Sequence, residues 1–113
     1  MKKYDKLVRD RIPEIIELSG SKCNFHVATK EEFKSRLIDK LGEEIAEFVE
    51  NPSAEEMADI LEVLDAVRRV YGIDLSDIKH QKVMKRVNRG GFEKKIVLES
   101  TVDVKSVEKY RDD

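Results

Sequence analysis

The sequence contains no tryptophan and a single cysteine, and it has no run of apolar residues near the roughly 20 that a membrane-spanning helix needs. The core therefore has to come from Leu, Ile and Val. Cys23 alone forms no internal disulfide, and no Cys/His pattern has the spacing of a zinc site. With no base suggested beside it, Cys23 reads as a small packed residue and not as a nucleophile. An excess of one charge is also missing, since charged residues make up 41% of the chain yet cancel to a net charge of −2. Bulk binding to a phosphate backbone needs a basic excess, so no nucleic-acid partner is expected and any basic action is local. Lys2, Lys3 and Asp5 leave no apolar core for a signal peptide, which with the missing membrane segment makes the cytoplasm the expected location. At 113 residues the chain suits one small domain, expected over residues 1–99, with a polar tail over 100–113.

What the chain holds in abundance is helical periodicity. Pro13 suits the first turn of a helix, to which Ile12, Ile15, Ile16 and Leu18 give a buried side before Ser19 and Gly20 stop it. Asn24 to Ala28 reads as a short extended piece. Thr29 and Glu32 have capping-box spacing and open a helix expected over residues 30–50. Its Phe33, Leu37, Ile38, Leu41, Ile45, Phe48 and Val49 recur at threes and fours. Gly42 inside that helix costs about 1 kcal/mol against alanine and permits close approach of a helix or ligand. A further helix is expected over residues 53–71, stopped by Gly72. Apolar residues from Met57 to Val70 cover most of its circumference, so it is expected to be the most buried helix. A fourth is expected over residues 75–87, with Asp74 or Ser76 as its cap, and collects Lys82, Lys85, Arg86 and Arg89 on one face. Solubility and anion binding account for such a face equally well. After Gly90 and Gly91, Lys94 to Leu98 reads as strand-like. His26 and His80 stand isolated and read as surface or hydrogen-bonded residues. The fold class is all-α: a four-helix-type bundle subunit with a central antiparallel helix hairpin and short extended segments near the termini.

The hairpin carries the chemistry. Glu44 and Glu47 are three apart before the Asn51-Pro52 break, and Glu56 and Asp59 are three apart after it, so each helix points two carboxylates to one side. A fold-back centred between Asn51 and Pro52 sets Glu47 opposite Glu56 and Glu44 opposite Asp59. It sets Glu62 opposite the apolar Leu41, which makes the Glu62 and Asp65 pair a poorer match. Four converging carboxylates repel and lose hydration unless protons or a cation compensate, and hard oxygen donors suit Mg²⁺ or Mn²⁺. A solvated acidic surface, with Ser53 to Glu56 serving only as a capping box, stands beside that reading.

Glu43-Glu44-x-x-Glu47, a helical break, and Glu56-x-x-Asp59 followed by Ile60-Leu61 resemble the EExxE and ExxD motifs of the all-α nucleoside triphosphate pyrophosphohydrolases, the MazG-like superfamily. Lys40-Leu41-Gly42-Glu43-Glu44 also resembles the phosphoribosyl-ATP pyrophosphohydrolases of histidine biosynthesis. The opening KLVRDRIPEII and closing RGGFEKKIVLE resemble a branch of small MazG-like proteins described as phosphoribosyl-ATP pyrophosphohydrolase-like. The resemblance covers most of residues 4–99, although the hairpin between Glu47 and Glu56 is shorter than in many members.

The resemblance implies hydrolysis of a nucleoside triphosphate to monophosphate and pyrophosphate, with Mg²⁺ held by Glu44, Glu47, Glu56 and Asp59. Glu43, one residue before the first pair, is then expected to support the ligands or activate water. Lys6 and Arg9 of the opening motif and Lys82, Lys85, Arg86 and Arg89 are the candidates to neutralise phosphate. A homodimer or homotetramer is expected, because a chain this short cannot cover so apolar a helix alone. Two other functions compete: the phosphoribosyl-ATP reaction, and a helical interaction module without enzymatic activity.

Overall fold

Local signals place each helix. The computed structural model describes residues 2–103, with α1 at Ile12–Leu18, α2 at Lys30–Glu50, α3 at Ala54–Val70 and α4 at Leu75–Arg89. Thr29 caps α2 by accepting from the Glu32 N–H at 3.2 Å, and Ser53 caps α3 by accepting from the Glu56 N–H at 3.2 Å; both satisfy amides that a helix start leaves without partners. Asp74 does the same for α4, its side chain accepting from the Ser76 N–H at 3.1 Å. Gly20, Gly72 and Gly90 follow α1, α3 and α4 with φ of 96°, 68° and 82°, a left-handed conformation that glycine adopts without strain. α4 runs two residues past the expected end at Val87 because that stop is Gly90, not the preceding turn.

Among the described residues the fold is all-helical, without strands. The strand expected at Lys94 to Leu98 does not form, since Lys95 takes a φ of 58° and interrupts an extended run at its second residue. Asn24 to Ala28 likewise enters no sheet. The expected tail lies outside the described residues beyond Asp103. No helix among the described residues is long and apolar enough to cross a membrane.

The chain divides into two units, one through Lys79 and one from His80, a boundary that falls within α4. In the first unit α2 packs against α3, with three residues between the two helices. Lys34 of α2 lies 5.1 Å from the centre of the Tyr71 ring after α3, and Glu44 meets Asp59 nearer the connection. Among the described residues the buried side chains belong to α2, with Leu37 at 2% and Glu44 at 5% exposure. α3 is not the most buried helix that its periodicity suggests: none of its residues is fully buried, and Leu61 is 60% exposed. α2 covers one side of it, and no other described helix meets it over a comparable front. The buried side expected of α1 shrinks to Ile12 and Ile16, half-buried, while Ile15 and Leu18 face solvent. Gly42 is exposed, and a Cβ there would meet nothing within 4 Å, so no described segment makes the close approach its position suggests.

Candidate metal centre

One carboxylate oxygen from each of Glu44, Glu56 and Asp59 lies within 4.8 Å of the other two. α2 supplies Glu44; α3 supplies Glu56 and Asp59, which are three residues apart and therefore share a face. Ser53 holds the Glu56 amide, but the Glu56 carboxylate stands in the cluster with Oε2 buried and without a hydrogen-bond partner. The capping-box spacing is thus used on one side only. Glu44 Oε2 is also buried and unpartnered. Glu47 stands outside the group of three, yet close enough that its charge acts on both Glu44 and Glu56.

Burial and neighbouring charges both act on these acids. Burial pushes the Glu44 carboxyl up, the charges of Glu47 and Asp59 push the same way, and a hydrogen bond from Lys40 opposes them without prevailing. Burial likewise raises Glu56, with Glu47, Asp59 and Glu44 adding to it. Glu43 differs. Burial raises it, but hydrogen bonds from Lys6 and Lys40 outweigh that effect and hold it below the ordinary carboxylate range.

Lys6 and Arg9, named by the opening motif, are brought to this cluster. Lys6 Nζ lies 3.0 Å from Glu43 Oε1, and Arg9 Nη2 lies 2.8 Å from Asp59 Oδ1. The preceding residue of that segment is fixed by Arg36, which donates to the Asp5 carbonyl at 2.7 Å and to Asp5 Oδ1 at 3.1 Å. Lys40, which sequence reasoning left out, stands 3.3 Å from both Glu43 Oε1 and Glu44 Oε1. Its signal was present as the three- and four-residue spacing from Lys40 to those acids. A groove of about 110 Å³ runs beside the cluster, lined by residues that include Val8, Arg9, Lys40, Glu44, Asp59 and Glu62.

The other candidates have different surroundings. Asp65 is paired with Arg68 and Arg69 at 3.1 and 3.0 Å, which accounts for it without a ligand. Lys82, Lys85, Arg86 and Arg89 lie on α4 in the unit that begins at His80, where Arg86 pairs with Glu93. His26 lies 2.8 Å from Glu32 Oε2, and His80 is exposed. Cys23 is half-buried with Sγ 3.9 Å from the Pro13 carbonyl, the packed position expected of it.

Compared with protein-family models, with curated proteins and with solved structures, the chain finds no match in any of the three.

Proposed function

We propose that this chain is a divalent-cation-dependent nucleotide pyrophosphohydrolase that converts a nucleoside triphosphate to its monophosphate and pyrophosphate. The observation that carries this reading is the convergence of Glu44, Glu56 and Asp59 within 4.8 Å, with two of their oxygens buried and unpartnered. A buried carboxylate oxygen without a partner is costly unless a proton or cation compensates, and oxygen donors of this kind fit Mg²⁺ or Mn²⁺. Glu44, Glu56 and Asp59 would hold the ion. When bound, the ion supplies charge neutralisation along the phosphate chain and polarisation of the attacked phosphorus.

This chain's own residues do the rest. Arg9 and Lys6 lie at the edge of the cluster, where phosphate oxygens need cationic partners. Glu43, held by Lys6 and Lys40, orients those two ammonium groups. Glu47 is the carboxylate left beside the group of three to take a proton from the attacking water. Water adds across the anhydride between the first and second phosphates, and pyrophosphate leaves.

The assembly follows from what the protomer leaves uncovered. Ile38, Ile45 and Val49 on α2 and Met57, Leu61 and Leu64 on α3 are exposed at helical spacing. We read α2 and α3 as an antiparallel hairpin that a second copy completes to a four-helix bundle, giving a dimer at minimum. The same exposed stripes favour a second reading, an interaction module without enzymatic activity. A panel of nucleoside triphosphates and phosphoribosyl-ATP, assayed with and without Mg²⁺, separates the two. Pyrophosphate released only with Mg²⁺ is expected; orthophosphate as first product rules out the point of attack, and no product from any substrate favours the module.

A further inference from the structure

We infer that Arg9 is the exchangeable counter-ion of the acidic cluster, giving up Asp59 when a divalent cation is taken up and turning to the phosphate chain of the nucleotide. The inference rests on the proposed cation site. Arg9 Nη2 is 2.8 Å from Asp59 Oδ1, and Asp59 contributes one of the three clustered oxygens. One of the other two donors, Glu44, has a side chain only 7% exposed and an oxygen without a partner. Negative charge therefore converges on Asp59 from within the protein, while one guanidinium answers it from the surface.

The two cations of the segment are not equivalent. Lys6 is held by Glu43, which Lys40 also contacts and which lies outside the clustered oxygens. Asp5 is tied to Arg36 through both its carbonyl and its carboxylate, and the Arg9 carbonyl accepts from the Ile12 N–H at 3.1 Å, at the start of α1. The backbone on both sides of Arg9 thus has anchors other than the clustered carboxylates. Of the segment's two cations, it is Arg9, its side chain 58% exposed, that pairs with one of the three clustered residues. A divalent ion beside a guanidinium repels it, and an exposed ion pair is too weak to resist. The displaced fork remains within a side chain's length of the groove that Arg9 lines, where it matches phosphate geometry.

Mn²⁺ binding, followed by the signal of free Mn²⁺ in electron spin resonance, tests this without turnover. Arg9→Ala is expected to bind Mn²⁺ about twofold to fivefold more tightly than the native chain, within the range an exposed pair allows. Lys6→Ala should leave that affinity within about twofold, and Glu56→Gln sets the background. With Ca²⁺ present, a non-hydrolysable triphosphate should bind Arg9→Ala about tenfold more weakly, and the Arg9 Nε–H resonance of the native chain should shift on addition of Mg²⁺. Unchanged or weaker Mn²⁺ binding by Arg9→Ala, or an unmoved Arg9 resonance in a chain that binds Mg²⁺, overturns the inference and leaves the cation site standing. Mn²⁺ binding no tighter than that of Glu56→Gln overturns both.

Discussion

Lys40 Nζ stands 3.3 Å from Glu44 Oε1, while the second oxygen of that carboxylate, Oε2, is buried with no hydrogen-bond partner. One ammonium shared between Glu43 and Glu44 does not offset the crowding of Glu47, Glu56 and Asp59 around Glu44. Among the described residues the negative charge of the cluster is therefore incompletely compensated.

Glu44→Gln should consequently raise the stability of the cation-free protein while abolishing its response to Mg²⁺. The gain expected is about 1 kcal/mol, the low end of the cost of an unpaired buried polar group, or roughly 4 °C in Tm for a small domain. Thermal unfolding in chelator and in Mg²⁺ gives both numbers. A variant less stable than the native chain in chelator would mean that Lys40 compensates the carboxylate fully.

The pH dependence has a definite sign. Glu44 and Glu56 have carboxyls raised above the ordinary 4.5, so the folded chain holds those protons more tightly than the unfolded chain. Their contribution is intact at and below 4.5 and is lost as pH rises from there through the raised values. Glu32, Glu43 and Glu93 are held below 4.5, and their contribution is lost as pH falls from 4.5 through those lower values. Together these five groups favour maximum stability near 4.5 in chelator, and Mg²⁺ should move the maximum upward. Unfolding scans from pH 3 to pH 8 measure it; a Glu44→Gln, Glu56→Gln chain should lose the decline above 4.5.

Gly42→Ala probes whether anything approaches α2 at that point. Space is open around Gly42 within the described chain, so the substitution should add about 1 kcal/mol through helix propensity alone, read from urea unfolding. A loss of stability instead would place a second copy or a bound molecule against Gly42.

The uncovered stripe on α3 predicts association. Leu61, exposed between Met57 and Leu64, should lie in the contact between copies, and Leu61→Asp should yield monomers by sedimentation at micromolar concentration while the native chain sediments as a dimer or larger. A native monomer at that concentration would remove the proposed bundle.

The helices were legible because their determinants are local. The Thr29 to Glu32 and Ser53 to Glu56 spacings each name a hydroxyl and the amide it serves three residues on, and threefold and fourfold apolar recurrence says which residues share a side. The meeting of Glu44 with Asp59 followed from the same regularity, since two regular helices joined by a short connection have few possible registers. Helical periodicity at α3 could state that its circumference is apolar; it could not state what covers it. Leu61 is 60% exposed because burial depends on a neighbour, and a neighbour is not a property of the sequence around Leu61.

Glu47 and the opening segment show the same division. Glu47 shares a helix side with Glu44, yet a carboxylate reaches the group of three only if its side chain and the packing of α2 on α3 allow it, and Glu47 falls outside that group. Likewise the sequence by itself determined that Lys6 and Arg9 are cations near the start of the chain. Only the tertiary structure decided that Lys6 meets Glu43, that Arg9 meets Asp59 and that Arg36 fixes Asp5. Those pairs join residues far apart in the chain, and no rule of spacing links a segment without regular structure to the helices on which it settles.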